Sequence, residues 1–210
     1  MSLPVPPDRV CALVLAAGAA RRFGSPKALA ELHGKPVLQH VLDALTPLVD
    51  VTLVLGAAAG AVRAGVTFAG TIVVNDRWQA GLSSSLQAGL ADLRRRASPP
   101  QSILVALGDQ PAIGAGDYAR MLEASTIHAD RIIAASFGDQ IGVPCIFPRT
   151  YFDALEALQG DRGARELLQT LRAQVHLVPM ERAGLDVDTE RDLADLAHAL
   201  TTSARSESAP

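Results

Sequence analysis

Only two of the 210 residues are cysteines, Cys11 and Cys145, and each sits inside an apolar run. Such thiols fit buried, reduced side chains in a cytoplasmic protein and exclude a disulfide-stapled secreted scaffold. No apolar stretch approaches the about 20 residues that a membrane span needs. The Pro-rich N-terminus Met1–Asp8 has neither a basic region nor an apolar h-region, so no signal peptide is expected. An excess of one charge is also missing: 19 Lys and Arg stand against 22 Asp and Glu, a net charge of −3. That balance argues against a nucleic-acid partner, and nothing suggests a membrane partner. The five histidines show no ligand spacing, which leaves no zinc pattern and no catalytic triad.

Aromatics are only 4% of the chain, yet hydrophobic residues make up 49%, carried mainly by Ala, Leu and Val. A chain of this length buries roughly 70% of its unfolded surface, enough for a core without staples. Short aliphatic runs alternate with segments of 3.6-residue period. Val10–Leu15, Val51–Leu55, Thr71–Val74, Ile103–Leu107, Arg131–Ser136, Val143–Phe147 and Gln174–Val178 read as strands. Between them, Pro36–Leu48, Ala57–Arg63, Leu82–Arg96, Gly116–His128, Tyr151–Leu158, Gly163–Leu171 and Thr189–Leu200 read as helices. This alternation predicts an α/β fold with a mostly parallel sheet and helices on both faces. No linker divides it. The expected organisation is an N-terminal extension over 1–8, one domain over 9–200 and a disordered tail over 201–210. Arg94, Arg95 and Arg96 are expected to form a solvated helix end.

In open α/β sheets ligands bind beyond the carboxyl ends of the strands. Two strand ends carry chemistry. After the first, Leu15-Ala16-Ala17-Gly18 runs through Arg21, Arg22 and Gly24 to Lys27. Small residues there expose backbone N–H groups to phosphate, and the cations supply counter-charge. Five residues separate Gly18 from Gly24, and Lys27 falls three places late, so this is no P-loop. After the other, Gly108-Asp109-Gln110-Pro111 sets a lone carboxylate where an apolar strand emerges. One or two carboxylates suffice for Mg²⁺, which draws its other ligands from phosphate and water. Asp139, in a second Gly-Asp-Gln, falls in a hairpin turn between two strands and is expected at the surface.

The first loop resembles L-A-A-G-x-S-x-R-x-G-x-x-K, with Ala20 where the pattern has serine. This is the opening of the nucleotidyltransferases that make sugar nucleotides, cytidylyl isoprenoid precursors and molybdenum-cofactor dinucleotides. Gly108–Pro111 is similar to the G-D-Q-P of the MobA-like NTP transferases that act on molybdopterin, in particular the molybdenum cofactor cytidylyltransferases. Asp186-Val187-Asp188-Thr189-Glu190-Arg191-Asp192 resembles their D-I-D-T-P-E-D, and Leu82-Ser83-Ser84-Ser85-Leu86 is similar to their M-S-S-S-L.

The resemblance implies a Rossmann-like three-layer domain of the nucleotide-diphospho-sugar transferase fold. It implies transfer of CMP from CTP to the phosphate of molybdopterin, with pyrophosphate released. Arg22 and Lys27 would grip the triphosphate, and Leu15, Ala16, Ala17, Gly18 and Gly24 would line its path. Ser85 would contact the base. Asp109 and Asp188 would hold Mg²⁺, with Asp186 as the alternative to Asp188. Gly142, Pro144, Asp161 and Arg165 would bind the acceptor, a pterin phosphate, and a molybdenum hydroxylase would receive the product. Three other readings stay open at this point: a GTP-dependent guanylyltransferase, a cytidylyltransferase for another phosphorylated acceptor, and a non-catalytic molybdenum cofactor carrier. Ala17 stands where the guanylyl enzymes resemble L-A-G-G, and Asp188 and Thr189 are also placed to cap the last helix. Trp78 is read equally as a lid residue or as core.

Overall fold

The computed structural model describes residues 10–19, 23–161 and 163–207. Its main sheet is built from β1 (Val10–Ala16), β4 (Asp50–Leu55), β5 (Thr71–Val74), β6 (Ser102–Leu107), β7 (Ile132–Phe137), β8 (Gln140–Pro148) and β9 (Val175–Pro179). A two-stranded ribbon, β2 (Glu31–Leu32) with β3 (Lys35–Pro36), precedes the first helix and was too short to register as a periodic pattern. The order across the sheet is β5-β4-β1-β6-β8-β7-β9. Six strands run parallel, and β8 alone is reversed, pairing antiparallel with both β6 and β7. The reversal follows from the tight Gly138-Asp139 turn, which leaves no room for a crossover helix. Asp139 is exposed in that turn, as expected.

β1 is a fully apolar run because both its faces are covered. Ala12 and Val14 enter one core with α1 (Val37–Leu45) and α4 (Ala115–Ile127), through Leu38, Val41, Leu42, Tyr118 and Met121. Cys11, Leu13 and Leu15 enter the other core. There they meet Leu86, Leu90 and Leu93 of α3 (Leu82–Arg94), Phe152 and Leu155 of α5 (Phe152–Glu156), and Leu168 of α6 (Ala164–Thr170). The alternation of one strand therefore fills two cores and produces three layers. Each fully buried leucine contributes about 1.5–3 kcal/mol. A short helix, α2 (Ala59–Gly65), starts two residues later than its alanine run suggests, because the Ala57 N–H is taken by the Ala17 carbonyl at 3.2 Å.

Two expectations need correction. The three arginines are not a uniformly solvated helix end. Arg96 reaches under the sheet to Thr52 Oγ1 at 2.6 Å, and Arg94 pairs with Asp153 and Glu156 above the Phe152 ring. Only Arg95 is largely in solvent, its side chain 72% exposed. The closing helix, α7 (Glu190–Glu207), also runs on past Leu200 into the segment read as a disordered tail. No glycine or proline interrupts it before Pro210, and the Thr201 and Thr202 hydroxyls donate to the Ala197 and His198 carbonyls. No helix among the described residues is long and apolar enough to cross a membrane.

Candidate active site

A cleft of about 940 Å³ opens at the carboxyl ends of β1, β4 and β6. Leu15, Ala16, Ala17, Gly18 and Gly24 line it from the first loop, together with Lys27. Asp109, Asp188, Ser85 and Asp161 line it from four other segments of the chain. Arg22 lies outside the described residues. Gly142, Pro144 and Arg165 are not among the walls. Because β8 is antiparallel to β6, Gly142 and Pro144 come to the same end of the sheet, one strand over, where Gly142 faces Phe137. Arg165 is exposed and donates to Gln140 Oε1 at 2.6 Å.

The strand ends can approach this closely because of Gly108. A Cβ on it would come within 2.9 Å of Ala16 Cβ and 3.0 Å of Leu38 Cδ1. The next residue, Asp109, is thereby turned into the cleft. Lys27 Nζ donates to Asp109 Oδ2 at 2.5 Å and to Asp188 Oδ1 at 3.0 Å, joining the two carboxylates. Desolvation lowers the pKa of Lys27, but the Asp109 and Asp188 carboxylates outweigh it and hold the ammonium above its usual value. The pair is partly shielded, with side-chain exposures of 18% for Lys27 and 24% for Asp109.

Capping of α7 does not fall to Asp188. Thr189 Oγ1 accepts from the Asp192 N–H at 3.2 Å, and Asp192 Oδ2 accepts from the Thr189 N–H at 2.8 Å and the Asp188 N–H at 3.1 Å. This reciprocal box turns the chain and leaves the Asp188 carboxylate directed at Lys27. The preceding Val187 donates its N–H to the Asp109 carbonyl at 2.9 Å, which ties the two aspartate loops together. Asp186 points instead to Gln110, whose Nε2 donates to Asp186 Oδ1 at 2.8 Å. Although the residue as a whole is exposed, its carboxyl faces inward. Burial of that carboxyl pushes its pKa up, aided by Asp109 and Asp188, against the Gln110 hydrogen bond.

Asp109 Oδ1 is buried and has no hydrogen-bond partner among the described residues. Beside it, two carboxylate oxygens already hold one cationic group. This hard, all-oxygen donor set with an unused lone pair fits a divalent cation that takes its other ligands from phosphate and water. No cluster of three or more metal-binding side chains occurs among the described residues. Asp109 and Asp188 would hold such an ion, and it would polarise phosphate oxygens and offset their charge.

Trp78, equally a lid or a core residue from its sequence, lines the cleft, half-buried, with Gln79 and Gly81 beside it. Gly81 has φ +99°, and a Cβ on it would strike the Gly160 carbonyl, so the α3 start and the 160 loop touch backbone to backbone. The three serines there do not cap the helix through their side chains. Ser83 Oγ donates to the Gly160 carbonyl at 2.8 Å, and Ser84 Oγ to the Gly81 carbonyl at 2.8 Å.

Residues 12–176 match the MobA-like NTP transferase domain. The chain is 32% identical to the 2-C-methyl-D-erythritol 4-phosphate cytidylyltransferase of Deinococcus radiodurans, over 92% of this chain and 90% of that one. A second relative, the bifunctional protein GlmU of Burkholderia thailandensis, is 31% identical over 62% of this chain, which spans only 29% of that protein's length. Among solved structures, the Rv0371c homologue from Mycobacterium sp. strain JC1 superposes with a TM-score of 0.78 at 32% identity, covering 92% of this chain and 98% of that one. Rv0371c of Mycobacterium tuberculosis in complex with manganese gives 0.74 at 32% identity, over 90% and 98% of the two chains. The molybdopterin-guanine dinucleotide biosynthesis protein A of Archaeoglobus fulgidus, at 18% identity and a TM-score of 0.68 over 91% and 99%, shares the fold. The chain thus belongs to the MobA-like NTP transferase family, and is a nucleotidyltransferase.

Proposed function

We propose that the protein transfers CMP from CTP to the terminal phosphate of molybdopterin, releasing pyrophosphate, with Mg²⁺ as its metal. The observation that carries this reading is the Lys27 ammonium held between Asp109 and Asp188 at the rim of a cleft lined by the glycine loop. An acceptor phosphate oxygen attacks the α-phosphorus, the bond from that phosphorus to the β-phosphate bridging oxygen breaks, and the electron pair leaves with pyrophosphate. Such a reaction requires positioning and charge neutralisation more than covalent chemistry from the protein. Lys27 supplies one positive charge to the departing phosphates, and Arg22, outside the described residues, is the second. Glycines 18 and 24 let backbone N–H groups approach the phosphate chain. The Ala17 side chain narrows the base side of the cleft, which favours a pyrimidine, and Ser85 offers it a hydroxyl. Asp161 borders the acceptor side, with Gly142, Pro144 and Arg165 as further acceptor contacts that a bound pterin would have to recruit.

A second reading shares the chemistry and changes the acceptor. The likeness to the Deinococcus enzyme, over nearly the whole of both chains, favours a cytidylyltransferase for a smaller phosphorylated alcohol. Pyrophosphate release with each of the four nucleoside triphosphates, against molybdopterin and against 2-C-methyl-D-erythritol 4-phosphate, separates the two. Turnover with CTP and molybdopterin alone supports the first reading; turnover with the sugar-alcohol phosphate replaces it. Calorimetric titration should show CTP binding at least ~10-fold tighter than GTP, about 1.4 kcal/mol. Equal or reversed preference would end both cytidylyl readings.

A further inference from the structure

The turn that follows β5 can be followed proton by proton. The Arg77 N–H donates to Asn75 Oδ1 at 3.0 Å, which establishes which end of the Asn75 amide is oxygen. The other end, Nδ2, spends both its protons, on Ser84 Oγ at 2.9 Å and Ser85 Oγ at 3.0 Å. Ser84 in turn sends its own proton to backbone carbonyls, Gly81 O at 2.8 Å and Arg77 O at 3.0 Å. That accounts for Ser84 in full. Ser85 accepts from Asn75 in the same way, but its hydroxyl proton has no acceptor among the described residues. Asn75 is 5% exposed and Ser85 2%, so bulk water is a poor substitute. Ser85 nevertheless borders the cleft. A buried hydroxyl with one lone pair filled and its proton unspent is biased to donate to whatever enters.

We propose that Asn75 is a positioning residue that determines base specificity: by donating to Ser85 Oγ, it makes Ser85 a hydrogen-bond donor to the base side of the cleft. The group that satisfies such a donor is a ring oxo acceptor, and on a pyrimidine nucleotide this is the 2-oxo group. A base presenting only an amino group at that point would set donor against donor and leave both buried protons unpaired. The inference rests on the cytidylyl reading for the identity of the base. The polarity of Ser85 follows from the hydrogen bonds alone.

The test compares binding of CTP with binding of 2-thio-CTP, in which sulfur, a weaker acceptor, replaces the 2-oxo oxygen. The native protein should prefer CTP by about tenfold, measured by calorimetry. In Asn75→Asp, a carboxylate takes the Ser85 proton, and the preference should fall to within twofold. Ser85→Ala should lose it equally, while Ser85→Thr, which keeps the hydroxyl, should retain it. A variant that merely loosens the turn would weaken both nucleotides together and leave their ratio intact. An unchanged ratio in Asn75→Asp overturns the role of Asn75, as does a native protein that treats the two nucleotides alike. Should Asn75→Asp not fold, the pairing of Ser85→Ala with Ser85→Thr decides whether Ser85 donates. Tighter binding of GTP or ATP than of CTP by the native protein would overturn the cytidylyl reading, and the pyrimidine assignment with it.

Discussion

Lys27 Nζ lies 2.5 Å from Asp109 Oδ2, so the cation of the first loop and the carboxylate of the neighbouring strand end form one ion pair. The ammonium and a divalent ion would draw on the same two carboxylates, Asp109 and Asp188. Two effects of Lys27→Ala follow, and they have opposite signs. Catalysis should fall by roughly 2–4 kcal/mol in kcat/KM, the cost of a preorganised charge contact, with kcat falling more than KM for CTP rises. Affinity for Mn²⁺ without nucleotide should increase, because the Lys27 ammonium no longer competes for the two carboxylates; electron paramagnetic resonance titration checks it. Arg22→Ala should also depress turnover.

Asp109→Asn keeps the shape of the side chain and removes its charge. Turnover should drop by about 100-fold or more, while the thermal unfolding profile stays close to native. Asp139→Asn, in the exposed hairpin turn, should leave pyrophosphate release unchanged. Native-like release by the Asp109 variant would remove that residue from the site.

At the far edge of the sheet, His176 of β9 stacks on His128 with ring centroids 4.0 Å apart. Burial, the His128 ring and Arg131 together hold His176 below its ordinary value of 6.5. On acidification the unfolded chain therefore takes up this proton before the folded chain does, and stability is lost as the pH falls through 6.5 and below. NMR titration should find His176 titrating low, and His128→Gln should move it back up. Urea unfolding at pH 7.5 and pH 5.5 should show the native protein less stable at the lower value, by a margin that shrinks in His128→Gln.

Leu90 is fully buried in α3 against the face of β1 that carries Leu13. Leu90→Ala should destabilise the protein by about 2–5 kcal/mol, read from urea midpoints. Its effect on CTP affinity in the folded state should be small, because the cavity lies beneath the sheet and away from the cleft.

Much of this was legible in the chain itself. β1 and β6 announce themselves as apolar runs ending in small residues, and those endings contain Lys27 and Asp109. Thr71–Val74 begins and ends where its residues suggest. What was not legible depends on distance in space. No local pattern shows that Lys27 bridges Asp109 and Asp188, 82 and 161 residues further on. Nor does periodicity reveal that Arg96 leaves its helix end for Thr52, or that β8 is inserted between β6 and β7. Nor does the run of three serines show its partners, Asn75 and the Gly160 loop, which come from elsewhere in the fold. The surroundings of Gly142 and Arg165 were the least legible, since glycines and arginines in turns carry no signature of what they face.

All seven strands of the sheet are complete by Pro179, yet the second carboxylate, Asp188, is still to come. The segment that delivers it also brings Val187 and Leu196, which close a small apolar cluster with Phe23, Leu32 of β2 and Val37 of α1. On the ribosome, the scaffold can therefore assemble before Lys27, Asp109 and Asp188 can come together. A chain cut short after its last strand would keep the whole sheet and lose half of the carboxylate pair, together with the seal over the loop that carries Lys27. Premature termination and C-terminal proteolysis should consequently yield inert fragments, not partly active enzymes, with competence conferred by the last tenth of the chain to be made.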